Sequence, residues 1–227
     1  MKYAKIEDIA TYLPAGTVEN LSLASEFPEW GVENLVKKIG IDRRHVSGTN
    51  EFSGALAERA AKNLFDQSDL NPQDVDFLIL VTQSPEFFLP PTSAIVHGEL
   101  GLRENCGVID VNQGCSGYVS GLGIAKGLIE SGQSANVLLI TSDTYTKFVN
   151  PSDRSVRLIF GDGATATWLS NRSDHEMISK VLHGTDGTGA KHLIVPNGGL
   201  RSGEQISPSS APSLRGIPES NYDLYMD

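Results

Sequence analysis

Cysteine is scarce, with two in 227 residues. Two thiols in a chain of this size build no disulfide framework, and the sequence reads as a protein of a reducing compartment. Long hydrophobic runs are absent too. The opening MKYAKIEDIATYLP lacks the apolar core of a secretion signal, and no apolar stretch reaches the ~20 residues that span a bilayer. The expectation is a soluble, cytoplasmic protein that does not enter a membrane. Positive charge is also short: 18 Lys and Arg stand against 28 Asp and Glu, for a net charge of −10. A general nucleic-acid binder needs a basic stripe, so that class is excluded, although a local Lys/Arg cluster can still hold a phosphate-bearing ligand. Neither an internal repeat nor a low-complexity segment is found. The cysteines and five histidines lack metal-ligand spacing, which predicts no metal.

What is present suits a normal globular core: 39% hydrophobic and 20% charged residues, in a length fitting one large or two small domains. Strand-like and helix-like stretches alternate. Residues 54–66 place Leu56, Ala57, Ala60, Ala61, Leu64 and Phe65 on one helical face. FLILV at 77–81 is the unbroken apolar run of a strand covered on both faces. A helix is predicted over 92–100 with Thr92 as its cap. Then come a strand at 107–111, a helix at 116–131 and a strand at 136–141. A strand pair is predicted at 156–160 and 164–169, with the GDG of 161–163 as a tight turn rather than a phosphate loop, since it has neither P-loop nor dinucleotide spacing. The class is α/β around a mostly parallel sheet. From 197 to 221 the chain is rich in Gly, Ser and Pro and reads as a long loop.

Cys115 falls where the strand ending at Val111 meets the helix that follows, and both elements are expected to be buried. Gly117, Gly121, Gly123 and Gly127 sit among the apolar residues of that helix. Each helical glycine costs up to ~1 kcal/mol against alanine, so four of them imply close backbone packing, as in a central helix sandwiched between layers. A helix N-terminus stabilises an anion, and the thiolate is the nucleophilic form of cysteine. Two readings of Cys115 therefore stand, a nucleophile or a small core residue. Cys106 has no such context and reads as structural.

Several stretches, in order and at matching spacing, resemble the N-terminal part of the β-ketoacyl-acyl carrier protein synthase III family of the thiolase superfamily. They are GIDRR (40–44), LAERAAKNL (56–64), DVDFLILVTQSPE (74–86), DVNQGCSGY (110–118), DR (153–154) and FGDGATA (160–166). The resemblance implies a thiolase-like fold: a mixed, mostly parallel sheet covered by helices, with a central glycine-rich helix buried. It favours Cys115 as the nucleophile of a decarboxylative Claisen condensation. An acyl group would pass from acyl-coenzyme A to Cys115 as a thioester. Malonyl-acyl carrier protein would then lose carbon dioxide and attack it. Acyl-coenzyme A and acyl carrier protein enter as substrates, and no cofactor is implied. Alternatives are another thiolase-superfamily acyltransferase, an enzyme like 3-hydroxy-3-methylglutaryl-coenzyme A synthase, or a non-catalytic partner subunit.

Other positions carry over one at a time. Arg154 matches an arginine that contacts the nucleotide end of coenzyme A. Lys38 stands where the family has another arginine, keeping the charge without the bidentate fork. Asn34 stands where many members have a tryptophan that stacks on adenine. Leu89 in FFLPP matches the position that crosses a homodimer interface into the partner's acyl pocket, and Phe160 matches a pocket-lining residue. Gln113 and Gly114 replace the commoner Ala-Ala before the cysteine, which points to a different acyl preference. None of His45, His97, His175, His183 and His192 lies in the family's catalytic histidine motif, and the asparagine motif is missing as well. The expectation is a first thiolase-like half over 1–196 and a linker over 197–227 toward a second half that would carry both, so that residues 1–227 alone would not condense.

Overall fold

The computed structural model describes residues 2–196, 198–199 and 223–226. In order the chain forms β1 (Tyr3–Tyr12), β2 (Gly16–Glu19), α1 (Leu23–Glu26), α2 (Val32–Ile39), β3 (Arg43–Val46), α3 (Ser53–Gln67), β4 (Phe77–Val81), α4 (Thr92–Glu99) and β5 (Gly107–Val111). It continues with α5 (Gly117–Glu130), β6 (Asn136–Thr144), α6 (Arg154–Arg157), β7 (Asp162–Ser173), β8 (Leu193–Ile194) and β9 (Tyr225–Met226). Its contacts divide it into two units interleaved in sequence: Met1–Gly16 with His45–Thr144 and Asp162–Leu182, and Thr17–Arg44 with Tyr145–Gly161 and His183–Asp227.

The first unit is a five-stranded sheet in the order β1-β7-β6-β4-β5. β4 runs parallel to both β5 and β6, while β7 is antiparallel to β6 and β1. The sheet is therefore mixed, its parallel part confined to three strands. Alternation along β4 shows how it is covered. Leu78 and Leu80 join the core beneath α3 and α4, with Leu56, Leu64, Val96, Leu138, Ile140 and Trp168. Ile79 and Val81 join the opposite core beneath α5, with Ala125, Ile129, Val137, Leu139 and Leu169. Successive side chains of a strand point to opposite faces, so a run apolar at every position feeds two cores. The predicted face of α3 is the buried one, from Leu56 to Leu64, with Phe65 packed partly against it.

The glycines of α5 act at its N-terminal end. A Cβ on Gly117 would overlap Val81 Cγ1, and one on Gly121 would lie 2.5 Å from Leu139 Cδ1. The helix backbone thus rests directly on β4 and β6. Gly123 has only an ordinary approach to Val181, and Gly127 meets nothing within 4 Å, so close packing accounts for two of the four. Among the described residues α5 is covered on one side. Gly117, Gly121, Ala125 and Ile129 form one buried row, while Val119 (48%) and Ile124 (37%) are exposed on the other side. β5, expected to be covered, is the edge of the sheet, and its Ile109 is open to solvent.

Two further expectations fail. Residues 156–160 form no strand: Asp153 accepts a hydrogen bond from the Ser155 N–H at 2.8 Å and starts the short helix α6 there. GDG is no turn between strands, because Asp162 and Gly163 already belong to β7 and pair with Thr144 and Asp143. Asp162 instead accepts the N–H and hydroxyl of Ser47, both at 2.7 Å.

In the second unit Leu23, Val32, Val36 and Leu158 form a small core. Asn20 donates to the carbonyls of Ile41 (2.7 Å) and Leu158 (3.1 Å) and accepts from Arg44. The arginine that closes GIDRR is thereby a buried structural residue. Residues 223–226 return to pair β9 with β8, and the Leu224 N–H donates to Phe148 at 2.8 Å. The loop expected over 197–221 lies, apart from residues 198 and 199, outside the described residues.

Candidate active site

The order of the strands locates the site. The chain leaves β4 for α4 on one face of the sheet and crosses to β5. It then leaves β5 for α5 on the other face and passes back over β4 to β6. The loops that follow the adjacent parallel strands β4 and β5 both lie at the carboxyl ends of those strands, the end at which such sheets bind ligands. The β4–α4 loop carries Gln83 and Leu89 there, and the β5–α5 turn carries Gln113, Gly114 and Cys115.

Cys115 occupies a tight turn closed by the Gly117 N–H on the Gly114 carbonyl at 2.8 Å. Ser116 is the N-cap of α5, so the first turn of that helix begins two residues after the thiol. The expected junction of a buried strand and a buried helix is thus open, and Cys115 is exposed, as a reacting thiol must be. Cys106 contrasts with it: it is buried in the α3–α4 core, and burial pushes its thiol up to about 11, which leaves it inert.

Asp110, the first residue of DVNQGCSGY, sits in β5 and points its carboxylate at the N-terminus of α4. It accepts the N–H of Thr92 at 2.7 Å and of Ser93 at 2.8 Å. Thr92 itself does not cap: it is the first helical residue after Pro91, and its hydroxyl accepts the Glu86 N–H at 3.1 Å. The cap comes from a strand in space rather than from the preceding residue. It joins the end of the FFLPP loop to the strand that delivers Cys115.

Asp143, near the end of β6, gathers the loop after β4. Its Oδ1 accepts the N–H groups of Gln83 (2.8 Å) and Ser84 (3.1 Å) and the hydroxyls of Ser84 (3.0 Å) and Thr82 (3.2 Å). Burial raises its carboxyl above the ordinary aspartate value despite those donors. Gln83, held by this carboxylate, lays its side chain over Gly114: a Cβ there would lie 2.5 Å from Oε1. Sequence reasoning assigned no role to Asp110, Gln83 or Asp143. A charged residue at the carboxyl end of an apolar strand was the available signal for Asp143.

The remaining candidates divide between the units. Gln113 is exposed, its N–H on the Val111 carbonyl at 3.0 Å. Leu89 is 85% exposed, next to exposed Phe87 and Phe88. These stand with Cys115 in the first unit, and Lys38, Arg154 and Phe160 stand in the second. Lys38 and Asn34 are exposed one turn apart on α2, the spacing that puts two side chains on one face. Arg154 is the first residue of α6; its side chain lies outside the described part of the structure. Phe160 is half-buried and stacks on Tyr145 with centroids 5.0 Å apart. Among the described residues no group of three His, Cys, Asp or Glu could hold a metal ion, and no helix is long and apolar enough to cross a membrane.

Comparison with known proteins gives one answer. The family model described as 3-oxoacyl-acyl-carrier-protein (ACP) synthase III matches residues 109–187. A β-ketoacyl-acyl-carrier-protein synthase III of Neisseria meningitidis serogroup A is 36% identical over 199 residues, which is 86% of this chain and 61% of that one. A crystal structure of a 3-oxoacyl-(acyl-carrier-protein) synthase III superposes with a TM-score of 0.86 at 39% identity, covering 99% of this chain and 67% of the other. The 3-oxoacyl-(acyl-carrier-protein) synthase of Burkholderia xenovorans gives 0.85 at 32%, covering 100% and 63%. The chain spans about 60% of the length of the curated relatives it matches.

Proposed function

The chain belongs to the β-ketoacyl-acyl carrier protein synthase III family, with its thiolase-like fold, and on that premise we propose that Cys115 carries an acyl group through a decarboxylative condensation. The observation that carries the reading is the exposed thiol in the β5–α5 turn, at the carboxyl end of the parallel strand β5, set against a second cysteine that is buried. The thiolate attacks the acyl-coenzyme A carbonyl, the new C–S bond forms, and the coenzyme A thiolate leaves with a proton from solvent. Malonyl-acyl carrier protein then loses carbon dioxide. Its α-carbon attacks the acyl-Cys115 carbonyl and releases the cysteine thiolate together with a β-ketoacyl product. Dividing carbon–carbon bond formation in this way replaces one difficult step with two easier ones.

On this reading Lys38 and Arg154 receive the phosphates of coenzyme A, and Phe160 and Gln113 border the acyl group. The exposed Phe87–Leu89 loop enters an isologous dimer interface. Residues 1–196 make the first thiolase-like half, and 197–227 lead toward the second. The enolate formed on decarboxylation needs positioned donors, and removing one such donor typically costs ~10²–10³ in rate. In the family these are a histidine and an asparagine downstream of the matched region, so residues 1–227 by themselves are expected to acylate but not to condense. The protein works in the cytoplasm, where both thioester substrates are found, and needs no cofactor.

The test is mass spectrometry of the full-length protein after incubation with a short acyl-coenzyme A, followed by release of carbon dioxide from malonyl-acyl carrier protein. An acyl adduct confined to Cys115, lost in Cys115→Ala, supports the reading. An adduct elsewhere refutes it.

A further inference from the structure

We infer that Glu86 is a positioning residue that sets the length of acyl chain accepted at Cys115, by holding the Phe87–Leu89 tip at a fixed reach. The inference rests on the reading above, in which Cys115 carries the acyl group and this tip enters the acyl pocket of a second copy of the chain.

The observation is the way the β4–α4 loop stands on α3. Ser53 Oγ donates to the Ser84 carbonyl at 2.7 Å, and the Gly54 N–H donates to the side-chain Oε1 of Glu86 at 3.0 Å. The N-cap of α3, Phe52, supplies no side-chain acceptor, and the first turn holds no acidic residue. A helix N-terminus favours a negative charge, and Glu86 brings one from outside the helix. Gly54 is what admits the carboxylate: a Cβ there would overlap Glu86 Oε1 and lie 3.3 Å from Thr92 Cγ2.

The backbone of the same residue closes the loop. The Glu86 N–H donates to Thr92 Oγ1 at 3.1 Å, and the Thr92 N–H is held by Asp110 at 2.7 Å. Residues 87–91 therefore leave and return between anchored points. Phe87, Phe88 and Leu89 are all exposed, and adjacent apolar side chains in the open mark an interaction site. The backbone bond to Thr92 survives a change of side chain at 86, whereas the bond to Gly54 does not. The carboxylate thus fixes where the loop stands on α3, with Leu89 three residues beyond it.

A tip of fixed reach acts as a wall at the end of the acyl group. It supports a short chain and stops a long one. A tip that shifts supports the short chain less well and lets the longer one in. A misplacement of ~1 Å can cost up to ~100-fold in rate, so loss of the clamp should move the preference readily.

The experiment measures the rate of Cys115 acylation in the full-length protein by mass spectrometry, with butyryl-coenzyme A and octanoyl-coenzyme A as the probes. Glu86→Ala should raise the octanoyl-to-butyryl ratio about tenfold. Glu86→Gln, which keeps an acceptor for the Gly54 N–H, should keep the wild-type ratio. Gly54→Ala retains Glu86 but takes its seat, and alanine suits a helix better than glycine, so this variant should fold and raise the ratio as Glu86→Ala does. A loss of stability alone would slow both probes alike. Leu89→Ala checks the reading beneath: it should raise the ratio by itself, and adding Glu86→Ala should raise it no further. An unchanged ratio in Glu86→Ala and Gly54→Ala beside a raised one in Leu89→Ala overturns the inference and leaves the loop reading in place. An unchanged ratio in Leu89→Ala overturns the loop reading, and no adduct on Cys115 overturns the acyl-carrier reading; either takes the inference with it.

Discussion

Replacing Asp110 with alanine tests the link between β5 and α4. Its carboxylate accepts the N–H groups of Thr92 and Ser93, and both of those residues are fully buried. Without the carboxylate, two donors at the start of an eight-residue helix lose their acceptor. A buried donor left unsatisfied costs about 1–3 kcal/mol, and a negative charge at a helix N-terminus contributes a further ~0.3–1 kcal/mol. Asp110 is only half-buried, so water replaces part of what is lost. The net expectation for Asp110→Ala is about 2–4 kcal/mol. Asp110→Asn keeps one oxygen and should lose about half as much. Urea unfolding at fixed pH, extrapolated linearly to water, reads both values. An alanine variant within about 0.5 kcal/mol of wild type would refute the argument, and so would an asparagine variant less stable than the alanine one.

Other consequences can be checked separately. Gly117→Ala puts a methyl group into the β-branched Val81, which has one strongly preferred rotamer, and overpacking of this kind costs ~1–3 kcal/mol. Gly121→Ala meets the end of a Leu139 chain that can turn away and gains up to ~1 kcal/mol of helix propensity, so in thermal melts it should stay near wild type while Gly117→Ala falls. Asp143 has its carboxyl raised by burial, so its stabilising contribution is complete below the ordinary aspartate value and is lost as pH rises through the raised folded-state value. Asp143→Asn should therefore gain on wild type in denaturation midpoint across that interval, and a pH-independent difference would contradict this. Iodoacetamide at pH 8 should label Cys115 and spare Cys106, of which about a thousandth is thiolate at that pH; peptide mapping that finds equal labelling would count against the contrast.

Much of the frame was legible because the apolar runs were unambiguous. FLILV gave β4 at its observed limits, and the 3.6-residue spacing of Leu56, Ala60 and Leu64 gave α3. What sequence missed depended on long-range pairing. β1 alternates too weakly to announce itself, with Ile6 and Ile9 set beside Lys5, Glu7 and Asp8, and it becomes a strand by pairing with β7. VRLIF looked like a strand, but Asp153 ahead of it nucleates a helical turn instead. At the site, Cys115 was visible from its neighbours. Gln83 over Gly114 was not, since the two lie on different loops and only the parallel pairing of β4 with β5 brings them together.

The pairing of β1 with β7 also sets a timetable for synthesis. Tyr12 meets Ala164 and Tyr3 meets Ser173, so β1 leaves the ribosome about 150–170 residues ahead of β7, its neighbour in the described sheet. At ~5–20 residues per second this interval is roughly ten to thirty seconds. In the last part of it, between the emergence of β6 (Asn136–Thr144) and that of β7, the inner strand β6 also lacks its second neighbour, because β7 lies between β1 and β6. Loop closure over so many residues delays folding, and nascent chains that end before Asp162 expose unpaired strand edges. Those chains are the ones a ribosome-associated chaperone should hold, and cells lacking such holding should accumulate them as aggregates before any finished protein is lost.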